Sequence, residues 1–193
     1  VKNCTIDGGG GSTVPYIGSL VMQVGAGNYV HNNVVTYGGA GNAVYIYDSR
    51  FDGNKVVNNT IKGNPGGWGI NVAGYQAGYQ PGQGAYAGMY DSIYNNIVDG
   101  GYYWLSTPTG YTVDYGFNLL NAGIAYGGGA GPAAGDIVGL SPMLDANYHL
   151  LPGSPAIDAG TLVGLPYNGS HPDLGAFETV PEPGTLAALG MGL

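Results

Sequence analysis

The sequence predicts an all-β coil, and three observations carry that expectation. An asparagine-centred octapeptide recurs, short β-type runs lie between its copies, and glycine and proline punctuate both. The repeat reads aliphatic residue, any residue, Asn, any residue, two mostly aliphatic residues, any residue, Gly. A fixed motif returning every few tens of residues marks a chain that stacks like units on one another. Helical solenoids share such periods, so composition has to choose between them. No stretch of ten or more residues combines an i, i+3, i+4 apolar pattern with freedom from glycine.

Taken in order, the first copy is Val1-Lys2-Asn3-Cys4-Thr5-Ile6-Asp7-Gly8, followed by the β-type run Leu20-Val21-Met22-Gln23-Val24. A second copy, with one extra residue before its glycine, runs from Val30 through Asn32 and Asn33 to Gly38, and Ala43-Val44-Tyr45-Ile46-Tyr47 follows it. The third is Val56-Val57-Asn58-Asn59-Thr60-Ile61-Lys62-Gly63, and the fourth is Ile93-Tyr94-Asn95-Asn96-Ile97-Val98-Asp99-Gly100. A degenerate fifth runs from Asn118 through Leu119 and Leu120 to Gly123. The key asparagines, Asn3, Asn32, Asn58, Asn95 and Asn118, are 29, 26, 37 and 23 residues apart. Unequal spacing then means loops of different length on a constant strand frame.

Asparagine suits a sharp bend between strands because it tolerates left-handed backbone better than most residues. Stacked units would set these amides about 4.8 Å apart, close enough to hydrogen-bond up the stack as a ladder. Asn28, Asn54, Asp91 and Asp114, four residues before successive key asparagines, form a second polar register. About five units span only about 24 Å, so uncovered ends would expose apolar core and open strand edges.

Composition bounds the function. A chain of 193 residues makes one domain of ordinary size, and 39 glycines with 12 prolines bring it to the edge of low-complexity composition. Only 8% of residues are charged and the net charge is −8, with no basic run. That excludes a nucleic-acid surface, which needs clustered Lys and Arg. Cys4 is the sole cysteine, so no intrachain disulfide forms. The chain begins inside a repeat, without methionine or signal peptide, and reads as a fragment or a processed product.

Residues 1–125, with these repeats, resemble the right-handed parallel β-helix superfamily that includes pectate lyases and many surface proteins. The resemblance implies a solenoid of about five rungs. Further on, Ser141-Pro142-Met143-Leu144, Asn147-Tyr148-His149-Leu150, Gly153-Ser154-Pro155-Ala156-Ile157-Asp158-Ala159-Gly160 and Pro172-Asp173-Leu174-Gly175-Ala176-Phe177-Glu178 are similar to the choice-of-anchor Q region that ends exported bacterial β-helix proteins. Residues 126–179 are therefore expected to cap the solenoid, with Leu150, Ile157 and Phe177 covering the last rung. Asp158, Asp173, Glu178 and His149 either form a metal or catalytic cluster or cap turns and tie terminal loops together. Residues 180–193 resemble a truncated PEP-CTERM sorting signal, in which Pro181-Glu182-Pro183 precedes an apolar run. That run is far short of the roughly 20 residues that span a bilayer. The resemblance implies a partner exosortase-type processing enzyme, membrane attachment only through a missing C-terminal helix, and an extracellular or cell-surface location in a Gram-negative-type bacterium.

Two constellations offer chemistry. Asp48-Ser49-Arg50-Phe51-Asp52-Gly53-Asn54-Lys55 is the only dense charged segment. In extended backbone Asp48, Arg50 and Asp52 share a face, with Lys55 opening the next strand and His31 and Lys62 on neighbouring turns. This is either a solvated turn or a lyase centre, with Lys55 or Arg50 as the base and Asp48 and Asp52 holding Ca²⁺. No cofactor is required otherwise. The second is the Tyr/Gln/Gly segment containing Tyr75, Gln76, Tyr79, Gln83 and Tyr86, where rings suit sugar faces and amides suit hydroxyls. The leading expectation is an exported surface or matrix protein that binds extracellular polysaccharide or builds the envelope. Its rivals are a polysaccharide lyase or glycoside hydrolase acting on an acidic polysaccharide, and a fibrous matrix former.

Overall fold

The computed structural model describes residues 1–8, 18–23, 27–37, 41–47, 53–63, 66–73, 91–106, 113–121 and 131–180. Every regular element among them is a strand, and every pair of strands is parallel. In chain order these are β1 (Thr5–Asp7), β2 (Gly18–Gln23), β3 (Tyr29–His31), β4 (Val34–Thr36), β5 (Asn42–Tyr47), β6 (Lys55–Val57) and β7 (Thr60–Lys62). There follow β8 (Trp68–Ala73), β9 (Asp91–Tyr94), β10 (Ile97–Asp99), β11 (Tyr102–Ser106), β12 (Val113–Gly116), β13 (Leu119–Leu120) and β14 (Ile137–Val138).

Three sheets result. The first is ordered β12-β9-β6-β3, the second β1-β4-β7-β10-β13-β14, and the third β11-β8-β5-β2. Neighbours in each sheet lie one pass of the chain apart, and the passes β3–β5, β6–β8 and β9–β11 visit all three sheets in turn. This is the arrangement of a β-solenoid. The all-β expectation and the stacking of repeats are therefore realised as parallel ladders.

The interior follows from register. Val30, Val56 and Ile93 stack in the first sheet, and Val35, Ile61, Val98 and Leu120 in the second. Val44 stacks on Ile70, and Ile46 on Val72, in the third. All are buried and belong to one core. Like aliphatic side chains one strand spacing apart pack without gaps, and each fully buried one contributes about 1.5–3 kcal/mol.

Two adjacent polar columns turn the corner between the first and second sheets. Asn3, Asn32, Asn58 and Asn95 take left-handed backbone, with φ of 53°, 55°, 51° and 57°. The side-chain ladder is formed by the following residue in each pass. Asn33 Nδ2 donates to Asn59 Oδ1, Asn59 Nδ2 to Asn96 Oδ1, and Asn96 Nδ2 to Asn118 Oδ1, each at 3.0 Å. The ladder expected on Asn3, Asn32, Asn58 and Asn95 is thus displaced by one residue, and only Asn118 stands in it. In its pass the left-handed position falls to Phe117, at φ 52°. The reason is a division of labour. A residue bending the chain cannot also aim its amide inward along the stack, so adjacent asparagines share the two tasks.

The second register is also real but shorter. Asn28 donates to Asn54 Oδ1 through both its backbone N–H and its Nδ2, and the Asn54 N–H donates to Asp91 Oδ1 at 2.9 Å. Asp114 pairs beside Ser92 and lies one place off that column.

Residues 141–180 fold without strands and pack on the flank of the second sheet. Ala156 and Leu174 bury against Ile97 and Leu119, the outward-facing residues of β10 and β13. Three further bonds anchor the segment: Gly175 N–H to Asn95 O, Ala176 N–H to Thr60 Oγ1, and Thr161 N–H to Asn95 Oδ1. Asn95 Nδ2 returns a bond to Thr161 O at 2.8 Å, so the side-chain amide pairs with a peptide as a strand would.

Candidate functional site

The outer face of the first sheet gathers the polar and aromatic side chains. Because Val30, Val56 and Ile93 point inward, alternation turns their neighbours outward. One outward row is Tyr29, Lys55, Ser92 and Asp114 across four strands. The adjacent row is Lys2, His31, Val57, Tyr94 and Gly116. Lys55 and Asp114 are exposed, Tyr29, His31, Ser92 and Tyr94 are half-buried, and Val57 is buried.

Contacts within the strip order its rings. The Tyr29 and His31 rings lie 4.3 Å apart at 35°, and His31 Nδ1 is 3.1 Å from Asn32 Oδ1. Lys55 Nζ stands 5.9 Å from the Tyr29 ring centroid, at the edge of cation–π range. At the other end the Tyr94 hydroxyl donates to Asp114 Oδ1. Burial, then that bond, then the negative charges of Asp114 and Asp136 push the Tyr94 phenol up to about 12. Burial also raises the Tyr29 phenol. The strip is thus cationic toward Lys2 and Lys55 and anionic at Asp114, with aromatic surface along its length.

The sequence-predicted residues distribute unevenly. Lys55 lies in the strip with His31 on the neighbouring strand. Lys62 does not join them: it belongs to the second sheet and pairs with Asp99. The corner at Asn58 and Asn59 separates β6 from β7, which takes Lys62 onto another face. Asp48, Arg50 and Asp52 lie outside the described residues, as do Tyr75, Gln76, Tyr79, Gln83 and Tyr86, and the sorting motif Pro181, Glu182 and Pro183. Tyr29, Ser92 and Tyr94 were not singled out from the sequence, and Asp114 only as a member of the second polar register. Period-two alternation around Val30 and Ile93 was the signal that marks them.

The carboxylates of the C-terminal segment tie loops. Asp158 Oδ1 accepts the Ser170 and His171 N–H groups at 2.8 and 3.1 Å. Asp173, fully buried, accepts Asp158 N–H at 2.7 Å and Thr179 N–H at 2.6 Å. Glu178 accepts from the Asn168 and Asp173 N–H groups. Among the described residues no group of three or more His, Cys, Asp or Glu is placed to hold a metal ion. Nor is any helix among them long and apolar enough to cross a membrane.

Comparison with protein-family models, curated proteins and solved structures returned no match. The class that the fold itself defines is an all-β, parallel-strand solenoid.

Proposed function

We propose that this protein is an exported cell-surface or extracellular-matrix β-helix that binds a polysaccharide along the outer face of its first sheet. The observation that carries the reading is the strip formed by Tyr29, His31, Lys55, Ser92, Tyr94 and Asp114 across four parallel strands. Rings present flat apolar faces to sugar C–H groups, while Lys55, Ser92 and Asp114 offer donors and acceptors for hydroxyls and carboxylates. Strand spacing of about 4.8 Å approaches the length of one sugar unit, so successive strands meet successive residues of an extended glycan. The cationic end, with Lys2 and Lys55, favours an acidic chain despite the net charge of −8.

In this reading the solenoid is right-handed, with about five rungs, residues 126–179 are its C-terminal region, whose residues 141–179 pack on the flank of the second sheet, and residues 180–193 are a sorting tail. The resemblances to choice-of-anchor Q and PEP-CTERM regions support export and exosortase-type processing. The second reading is a polysaccharide lyase, favoured by the exposed Lys55 ammonium on the same strip.

The deciding experiment incubates the protein with acidic and neutral polysaccharides, with and without Ca²⁺. It measures both retention and the appearance of unsaturated uronate or new reducing ends. Binding without cleavage, weakened in Tyr29→Ala and Lys55→Ala, supports the binding module. Cleavage abolished by Lys55→Ala supports the lyase. Neither retention nor cleavage with any glycan overturns both.

A further inference from the structure

The C-terminal segment carries a half-open cleft that the glycan strip does not use. Its volume is about 550 Å³, in the range of small-molecule sites. Leu150, Pro152, Ile157 and Phe177 supply apolar walls, and Asp158 and Glu178 supply its two carboxylates. His149, also lining the cleft, stacks on Phe177 with centroids 4.1 Å apart and planes at 17°. No Lys or Arg lines it among the described residues.

Local backbone chemistry holds the Asp158 carboxylate in place. Asp158 is left-handed at φ 54°, and its two hydrogen bonds both fall on Oδ1. Gly169, at φ +86°, lines the cleft beside it, and a Cβ there would lie 2.3 Å from Asp158 Oδ1. Glu178 is held above its usual range, first by burial and further by the negative charges of Asp173 and Asp158. Two carboxylates on the wall of an apolar cleft without a lining Lys or Arg leave an electrostatic demand that a cation meets.

We propose that this cleft binds a small organic cation, an ammonium or guanidinium group carried on an apolar stem. The stem lies against Ile157, Leu150 and Phe177, and the cation sits between Asp158 and Glu178. Carboxylates repel anions and gain less from neutral polar groups than from cations, so charge decides selectivity while the walls supply affinity. The inference is independent of glycan binding on the first sheet.

The test titrates the whole chain at neutral pH with n-hexylammonium, 1-hexanol and hexanoate, by calorimetry and by NMR shifts of Ile157 and Phe177. Saturable one-to-one binding of hexylammonium is expected, with hexanol about tenfold weaker, the loss of one charge-assisted contact, and hexanoate not bound. Glu178→Gln should weaken hexylammonium by about tenfold, and Ile157→Trp, which fills the cleft and spares the carboxylates, should abolish it. Lys55→Ala should leave it unchanged, which separates this site from the glycan strip. Equal affinity for hexanol, no saturation, or binding that survives Ile157→Trp would overturn the proposal. So would binding of a capped lysine peptide in the absence of any hexylammonium binding.

Discussion

Asn96 and Asn118 meet through a single oxygen: Asn118 Oδ1 accepts both the backbone N–H and the Nδ2 of Asn96, each at 3.0 Å. The same doubled bond joins Asn59 to Asn96 and Asn33 to Asn59. At the far end Asp136 replaces asparagine, and its Oδ1 accepts the Asn118 N–H at 2.8 Å. Each amide also bonds backbone carbonyls around the bend: Asn96 Nδ2 donates to Val56 O and Tyr94 O. The column therefore adds side-chain partners to the buried backbone groups of the corner.

Replacing Asn96 tests that column. Asn96→Ala leaves the buried Asn59 N–H without its acceptor and removes the Nδ2 bonds to Val56 O and Tyr94 O, so a loss of at least about 2 kcal/mol is expected in urea unfolding. Asn96→Asp keeps the acceptor but loses the donors and places a carboxylate against three oxygens. Its stability should recover on acidification, as the carboxyl gains a proton to donate. A loss below about 0.5 kcal/mol for Asn96→Ala would show that the ladder is incidental.

Gly101 admits no side chain. Its φ is +124°, and a Cβ would lie 1.9 Å from the buried Tyr37 hydroxyl. That hydroxyl donates to Gly100 O at 3.1 Å, and burial holds its proton on far above the ordinary tyrosine range. Gly101→Ala should cost about 3 kcal/mol or more through strain and overpacking together. Tyr37→Phe alone should cost about 1 kcal/mol, the worth of one hydrogen bond. Tyr37→Phe with Gly101→Ala should cost less than the sum, since removing the hydroxyl opens part of the space. Strict additivity would contradict the contact.

Glu178 predicts a direction of pH dependence. Its carboxyl is raised in the folded chain, chiefly by burial. The folded state therefore binds this proton more tightly than the unfolded state, and its contribution is most favourable below the unfolded value. That contribution is lost as pH rises through the folded value. Glu178→Gln should flatten the stability profile in the weakly acidic range and raise the melting temperature more at pH 7 than at pH 4. The opposite ordering would show that its N–H bonds outweigh burial.

Tyr94 offers a spectroscopic check on the outer strip. Its ring carbon shifts, followed by NMR, should titrate at about 12, against 10.0 for an unperturbed phenol. Asp114→Asn should bring the midpoint down while leaving it above the ordinary value, because burial is the larger cause. No movement would place Asp114 away from the phenol in solution.

Much of the strand frame was legible in the chain. The paired asparagines at 32–33, 58–59 and 95–96 mark the corners, and alternation around Val30, Val56 and Ile93 marks strands with one buried face. Which member of each pair bends and which one stacks was not legible, because both are asparagine and composition cannot distinguish them. Phe117 shows the consequence: in its pass the left-handed residue is not asparagine at all, so matching on residue type slipped by one. Lys62 was expected beside Lys55 from a neighbouring turn, yet a corner lies between them and a parallel neighbour, Asp99, takes its charge.

That this chain is an all-β stack of like units follows from its residues alone, because repeat, alternation and glycine spacing are local properties that each segment carries. Tertiary structure decided which side chains share a face. Tyr29, Lys55, Ser92 and Asp114 are separated by loops of different length and become neighbours only through parallel register. The cleft at Asp158 and Glu178 likewise exists only because residues 141–180 fold back on themselves against Asn95 and Ile97. Register and fold-back depend on pairing between distant segments, and that pairing energy is not contained in any one of them.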